Sequence, residues 1–228
     1  MKPELSVIVP IYNEESVIDL FCSELRAELD KLGIQYQVIF INDGSTDKTQ
    51  SIIEHINWPQ LEIYELLSNQ GQMRAILEGL IKSKGQLLIT LDADLEHPLN
   101  YIKDFINKQK ETQADVVYGC RIDRSDRFFK RTSAQVYYFL MNKISGFNIR
   151  SNAADFRLIT EYTKNQLLAI GNQDIIFRIV IPSLKLREAE IFYVAQKRKL
   201  GTSKYTLKKM FCLGVKSIVF IIKYYKSK

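Results

Sequence analysis

The stretch LITLDADLEHP, Leu88–Pro98, decides how the rest of the chain is read. Leu88, Ile89, Thr90 and Leu91 are apolar or β-branched and run into Asp92, Asp94 and Glu96 before His97 and Pro98. Such a run predicts a buried strand that ends in carboxylates. Packed carboxylates repel, and each is costly to desolvate without compensation. A cation, a hydrogen-bonding ligand or solvent must therefore face them. In an extended segment the three acidic side chains project to one side.

Acidic residues close other predicted strands as well. LSVIVPIY (Leu5–Tyr12) reads as a buried strand, and VIDLFCSELRAELDKLG follows with helical spacing to a stop at Gly33. QVIFIND is a second strand, leading into the turn and N-cap residues Gly44-Ser45-Thr46-Asp47 and a helix through Ile52, Ile53 and Ile56. LEIYELL, QMRAILEGLIKS and QLLITLD continue the alternation as strand, helix and strand. PLNYIKDFINKQKE is a helix with proline near its first turn, and ADVVYGCRI is a further strand. This rhythm predicts an α/β fold, a mostly parallel sheet with helices on both faces. Ligands of such sheets bind beyond the carboxyl ends of the strands. Glu14, Asp43, Asp92, Asp94 and Glu96 all fall along that edge.

The second half is less regular. SDRFFKRTSAQVYYFLMNKISGF predicts a long amphipathic helix; the strand FRLIT, two short helices and a strand around EIFYVAQ complete one domain, residues 1–205. Residues 206–228 form a separate C-terminal amphipathic helix, with Lys209, Lys216 and Lys223 recurring every seven residues. Lys216 sits in its middle, which argues against a membrane span. A basic stripe opposite Leu207, Met210, Phe211, Leu213, Ile218 and Phe220 suits a helix lying in the membrane interface. Packing on the domain or in a homo-oligomer contact is the alternative.

Charge agrees with that division. The net charge is +6, yet residues 185–228 carry twelve Lys or Arg against two Glu, so the remainder is acidic. The lysines of the last helix alternate with an apolar face rather than with stacking aromatics, which argues against a nucleic-acid partner. Three separated cysteines and two histidines make a disulfide framework, a zinc site or a His-rich metal site implausible. The charged MKPE start does not read as a secretory signal. No G-x-x-x-x-G-K-[ST] or G-x-G-x-x-G phosphate loop is present. Phosphates would then be held by basic side chains and a hard cation, Mg²⁺ or Mn²⁺, which suits convergent carboxylate oxygens. Asp43 and Glu14 can accept hydrogen bonds from a base or ribose.

Taken in order, VPIYNE, INDGSTD, SNQGQMRAILEGL, LDADLEHP, DFRLIT and RKLGTSKYTLKKM resemble the inverting GT-A glycosyltransferases of family 2. Within them the similarity is to the polyprenyl-phosphate glycosyltransferases, which include dolichyl-phosphate mannosyltransferases and bactoprenol glucosyltransferases. The resemblance covers essentially the whole chain. It implies a GT-A, Rossmann-like fold and a nucleoside pocket lined by Pro10, Tyr12, Glu14 and Asp43, with Asp92 alongside. Asp92 and Asp94 would serve the donor diphosphate and the metal, Asp94 as the firmer ligand. Glu96, where this branch often carries glutamine, is a second candidate metal ligand. Arg121, Arg124, Arg131 and Arg157 would form a basic wall around an acceptor phosphate. Arg198, Gly201, Ser203 and Lys204 resemble a mobile loop that closes over the donor diphosphate. Asp155 would be the base if the acceptor were a hydroxyl.

The implied reaction is metal-dependent, inverting transfer of a sugar from a nucleotide-diphosphate sugar to a polyprenyl phosphate. It would take place on the cytoplasmic face of a membrane, with the chain held peripherally. A soluble transferase acting on a saccharide hydroxyl and a non-catalytic nucleotide-sugar-binding subunit are the alternatives. Many relatives continue into membrane helices, which are not part of this sequence.

Overall fold

Strand β1 (Leu5–Ile11) is apolar at nearly every position because both of its faces are covered. Leu5, Val7, Val9 and Ile11 belong to one core and Ile8 to the other, as the period-two alternation of a strand requires. The computed structural model describes residues 2–122, 142–143, 145–146, 149–150, 153–171 and 175–196. Within them the strands are β1, β2 (Tyr36–Asn42), β3 (Leu61–Glu65), β4 (Leu87–Thr90), β5 (Val116–Arg121), β6 (Ala153–Thr160) and β7 (Glu188–Tyr193). The helices are α1 (Ile18–Asp30), α2 (Thr49–Glu54), α3 (Gln72–Lys82), α4 (Tyr101–Thr112), α5 (Glu161–Ala169) and α6 (Phe177–Ser183).

The sheet order is β3-β2-β1-β4-β6-β5-β7. All pairings are parallel except those of β6, which runs antiparallel to both β4 and β5. Phe21 and Leu25 of α1, Ile53 of α2 and Phe105 of α4 cover one face. Ile76 and Leu80 of α3, Leu167 of α5 and Val180 of α6 cover the other. The expected mostly parallel α/β sheet with helices on both faces is therefore what the chain forms. Gly79 allows α3 to lie close over β1, since a Cβ there would collide with the Ile8 side chain.

Two features of this order position the site. Strand order reverses between β1 and β4, which opens a crevice at their carboxyl ends. Because β6 is antiparallel, its first half lies beside the end of β4: Thr90 is paired with Arg157, and the Thr90 hydroxyl donates to the Asp155 carbonyl at 2.6 Å.

Some boundaries differ from those expected. β4 ends at Thr90 rather than reaching Asp92, so the acidic segment is not strand. α4 starts at Tyr101, which leaves Pro98 in the turn before the helix instead of in its first turn. Most of the long helix expected from Ser125, and all of the C-terminal amphipathic helix, lie outside the described residues. No helix among the described residues is long and apolar enough to cross a membrane.

Candidate active site

The loops that follow β1 and β2 are bound to each other. Asn13 takes a left-handed conformation (φ 53°), a state asparagine tolerates better than most residues. Its amide donates to Ser45 Oγ at 2.9 Å, and its Oδ1 accepts from the Thr46 amide at 2.8 Å. The Glu14 amide donates to Thr49 Oγ1 at 2.8 Å. The Glu15 amide donates to Asp47 Oδ2 at 3.3 Å, and Glu15 Oε2 accepts from the Lys48 amide at 2.9 Å. The YNEE and GSTD segments are thus joined by side-chain to backbone bonds, which satisfy amides that no strand or helix reaches. Pro10, Tyr12 and Glu14 are half-buried on the β1 side of this frame. The Glu14 carbonyl also accepts from the amides of Val17 and Ile18 where α1 begins.

Asp43 ties the frame to α3. It is buried, and its two oxygens accept from the amides of Gln70 at 2.7 Å and Gly71 at 2.8 Å. Burial raises its pKa above the ordinary value, more than these two amides lower it. Beside it Gly44 has φ 66°, and a Cβ there would lie 2.7 Å from the Ser68 carbonyl carbon. Only glycine accommodates both the conformation and the approach. Asp43 therefore holds the 68–71 loop beside the end of β2.

Beyond β4 the arrangement changes. Burial alternates along the turn: Leu91, Ala93, Leu95 and His97 are buried, and Asp92, Asp94 and Glu96 are half-buried. The three carboxylates are on the accessible side as expected, but a turn with Leu95 at φ 58° produces this, not an extended strand. Asp92 Oδ1 accepts from Gln72 Nε2 at 2.6 Å, and Asp92 Oδ2 lies 3.5 Å from His97 Nε2. Asp94 Oδ1 accepts from the Glu96 amide at 3.0 Å, which closes the turn. Glu96 pairs with Arg121 at 3.4 Å. Asp155 is ion-paired with Arg157. Burial by itself would lower the His97 pKa; the carboxylates of Asp92, Asp94 and Asp155 outweigh it, and the pKa is raised. One imidazole thus senses all three carboxylates.

Among the described residues, no three His, Cys, Asp or Glu side chains converge closely enough to hold a metal by themselves. Asp92 and Asp94 nevertheless fit a hard cation that arrives with a diphosphate, because Mg²⁺ commonly takes one or two carboxylates and completes its shell with phosphate and water. Glu96 is turned to Arg121 instead. Arg121 stands at the rim, whereas Arg157 is nearly buried and ion-paired with Asp155; it borders one small cavity with Tyr118, Arg150 and Arg178 and another with Ile76, Leu80, Phe177 and Ile181. Arg124, Arg131, Arg198, Ser203 and Lys204 lie outside the described residues. Gln72, His97 and Tyr193 are additions from the structure, and no spacing rule links residues so far apart in the chain.

The comparisons with known proteins agree with this architecture. The profile of the family described as Glycosyl transferase family 2 matches residues 6–171. The uncharacterized glycosyltransferase YkoT of Bacillus subtilis is 34% identical over 228 residues, covering 95% of this chain and 67% of that protein. The bactoprenol glucosyl transferase of Shigella phage SfV is 31% identical over 218 residues, covering 94% of this chain and 71% of the relative. This chain thus spans about two thirds of the length of such relatives. Among solved structures, the mannosyl-3-phosphoglycerate synthase of Rubrobacter xylanophilus superposes with a TM-score of 0.66 at 13% identity, over 98% of this chain and 74% of that one. Residues 1–349 of S. aureus TarS, in complex with UDP-GlcNAc, give 0.61 at 17% identity, over 96% of this chain and 66% of that one. At such identities these likenesses speak for the GT-A-like fold alone. The profile match and the curated relatives together place the chain in glycosyl transferase family 2.

Proposed function

We propose that this chain transfers a sugar from a nucleotide-diphosphate sugar to a polyprenyl phosphate with inversion at the anomeric carbon. The observation that carries the reading is the position of Asp92 and Asp94, half-buried just past β4 where the strand order reverses. The bactoprenol glucosyl transferase relative, aligned over 94% of the chain, supports the acceptor class.

In this reading Pro10, Tyr12, Glu14 and the loop held by Asp43 receive the nucleoside. Asp94 and Asp92 would hold a Mg²⁺ or Mn²⁺ ion that arrives with the donor. Such a cation stabilises the charge that grows on the leaving nucleoside diphosphate. Arg198 and Lys204 would supply positive charge for the same phosphates, and Ser203 a hydroxyl. An acceptor phosphate oxygen forms the new bond to the anomeric carbon as the bond to the diphosphate oxygen breaks, and the leaving nucleoside diphosphate keeps the electron pair. A phosphate monoester, with a second pKa of about 6, is already ionised at neutral pH and needs positioning rather than a base. Arg121, with Arg124 and Arg131, supplies that positioning. The basic amphipathic segment 206–228 would rest on the cytoplasmic membrane surface, where a polyprenyl phosphate presents its head group.

The test offers labelled UDP- and GDP-sugars to the protein with Mg²⁺ or Mn²⁺, with and without polyprenyl phosphate, and counts organic-extractable label. Metal-dependent label in the lipid phase from one donor is expected. Donor binding without lipid product would turn the reading toward a hydroxyl acceptor or a non-catalytic nucleotide-sugar-binding subunit, and no donor binding would overturn it.

A further inference from the structure

The Asp92 carboxylate is gripped from two sides by side chains from separate parts of the chain. Gln72, at the start of α3, donates to one oxygen at 2.6 Å. His97, almost fully buried, presents Nε2 to the other at 3.5 Å. The rest of the imidazole is boxed by aromatic rings: the Phe156 centroid is 4.9 Å away and the Tyr193 centroid 5.8 Å. Nδ1 lies 3.0 Å from the Tyr193 hydroxyl. An ionised carboxylate only accepts, and a phenol can donate. Nε2 therefore carries the hydrogen directed at Asp92, with the Tyr193 hydroxyl donating to Nδ1 of the neutral ring or accepting from Nδ1–H of the imidazolium.

We infer that His97, oriented by Tyr193, is a positioning residue that holds Asp92 in the rotamer presented to the donor nucleotide and its cation. The inference rests on the nucleotide-sugar site proposed above. Residues that orient a metal-binding carboxylate or imidazole in this way typically change metal affinity or activity roughly 10- to 100-fold when removed.

The experiment compares His97→Gln with His97→Asn, together with Tyr193→Phe and Asp92→Asn. A glutamine amide reaches about as far as Nε2, whereas an asparagine amide stops near Nδ1 and leaves Asp92 without its contact. Binding of UDP and of GDP with Mn²⁺ is measured by calorimetry, and kcat and KM are measured in the transfer assay. The expected result is a roughly 10- to 100-fold loss of nucleotide affinity in the presence of Mn²⁺ and of kcat in His97→Asn, most of it recovered in His97→Gln. Tyr193→Phe should show a smaller loss in the same direction, with unchanged thermal stability separating orientation from folding. Equal behaviour of His97→Gln and His97→Asn, whether both impaired or both normal, would overturn the inference while an impaired Asp92→Asn upholds the site. An unimpaired Asp92→Asn would overturn both.

Discussion

The sheet edge that carries the candidate site has two unlike halves. Past β1 and β2, the loops are knitted by short bonds between backbone amides and the side chains of Asn13, Ser45, Thr49 and Glu15, and Asp43 fastens the next loop in the same way. Past β4, Asp94 closes the turn through the Glu96 amide, but Asp92 and Glu96 are met by side chains from α3, from the following turn and from β5, namely Gln72, His97 and Arg121. Backbone amides cannot withdraw without unfolding their loops, so the first half is a preformed frame. Side chains can rotate, so the second half is a set of charges whose partners a ligand can exchange. Residues of the first half should therefore act mainly on stability, and those of the second mainly on turnover.

The sharpest break of that contrast is Asp94→Ala. It should lower turnover in the lipid-transfer assay roughly 100- to 1,000-fold, as when one group that stabilises developing charge is lost, with a stability loss of only about 1 kcal/mol from the Glu96 amide it leaves unpaired. Retained turnover would remove Asp94 from the metal assignment. Gly44→Ala should do the reverse at the level of folding. The left-handed backbone and the approach to Ser68 together predict a loss of roughly 2–4 kcal/mol, read from urea denaturation. A change within about 0.5 kcal/mol, the range of ordinary surface substitutions, would mean the frame is not as tight as described.

The smallest effect separates two aspartates of one motif. The Asp43 pKa is raised by burial, which the amides of Gln70 and Gly71 offset only in part. Its contribution to stability is fully present below the ordinary value of 3.8 and is lost as pH rises through the elevated folded pKa. Burial also acts upward on Asp47, but hydrogen bonds from Thr49 and from the Glu15 amide exceed it, and its pKa is lowered. Its contribution is present above 3.8 and is lost as pH falls through the lowered folded pKa. Difference curves of unfolding free energy against pH, wild type minus Asp43→Asn and wild type minus Asp47→Asn, should slope in opposite directions across the acid range. Parallel slopes would contradict the assignment of the two environments.

Much of the fold is legible in residue pattern because period and punctuation are local. LSVIVPIY, QVIFIND and LLIT are apolar runs of strand length bounded by turn residues, and the helices between them have apolar faces at helical spacing. The roles within the motifs are less legible. Asp43 reads as a ligand-facing acid, yet its oxygens are turned to two backbone amides contributed by a loop about 27 residues away in sequence. Arg157 reads as part of a basic wall, yet β6 runs antiparallel and buries it beneath the edge. His97 is one of two histidines in the chain, but its partners Tyr193 and Phe156 come from β7 and β6. Such contacts follow from strand order, which period-two patterns do not encode.

The sequence by itself determined the α/β class, the alternation of elements, the placement of acidic residues at strand ends and the resemblance to family 2 transferases, since each depends on neighbours along the chain. Only the tertiary structure decided that β6 enters antiparallel between β4 and β5, that the YNEE and GSTD loops hold each other, and that Gln72 and His97 grip Asp92 from opposite sides. Those facts depend on which distant segments share the crevice at the reversal of strand order, and that is settled by packing two cores against one sheet.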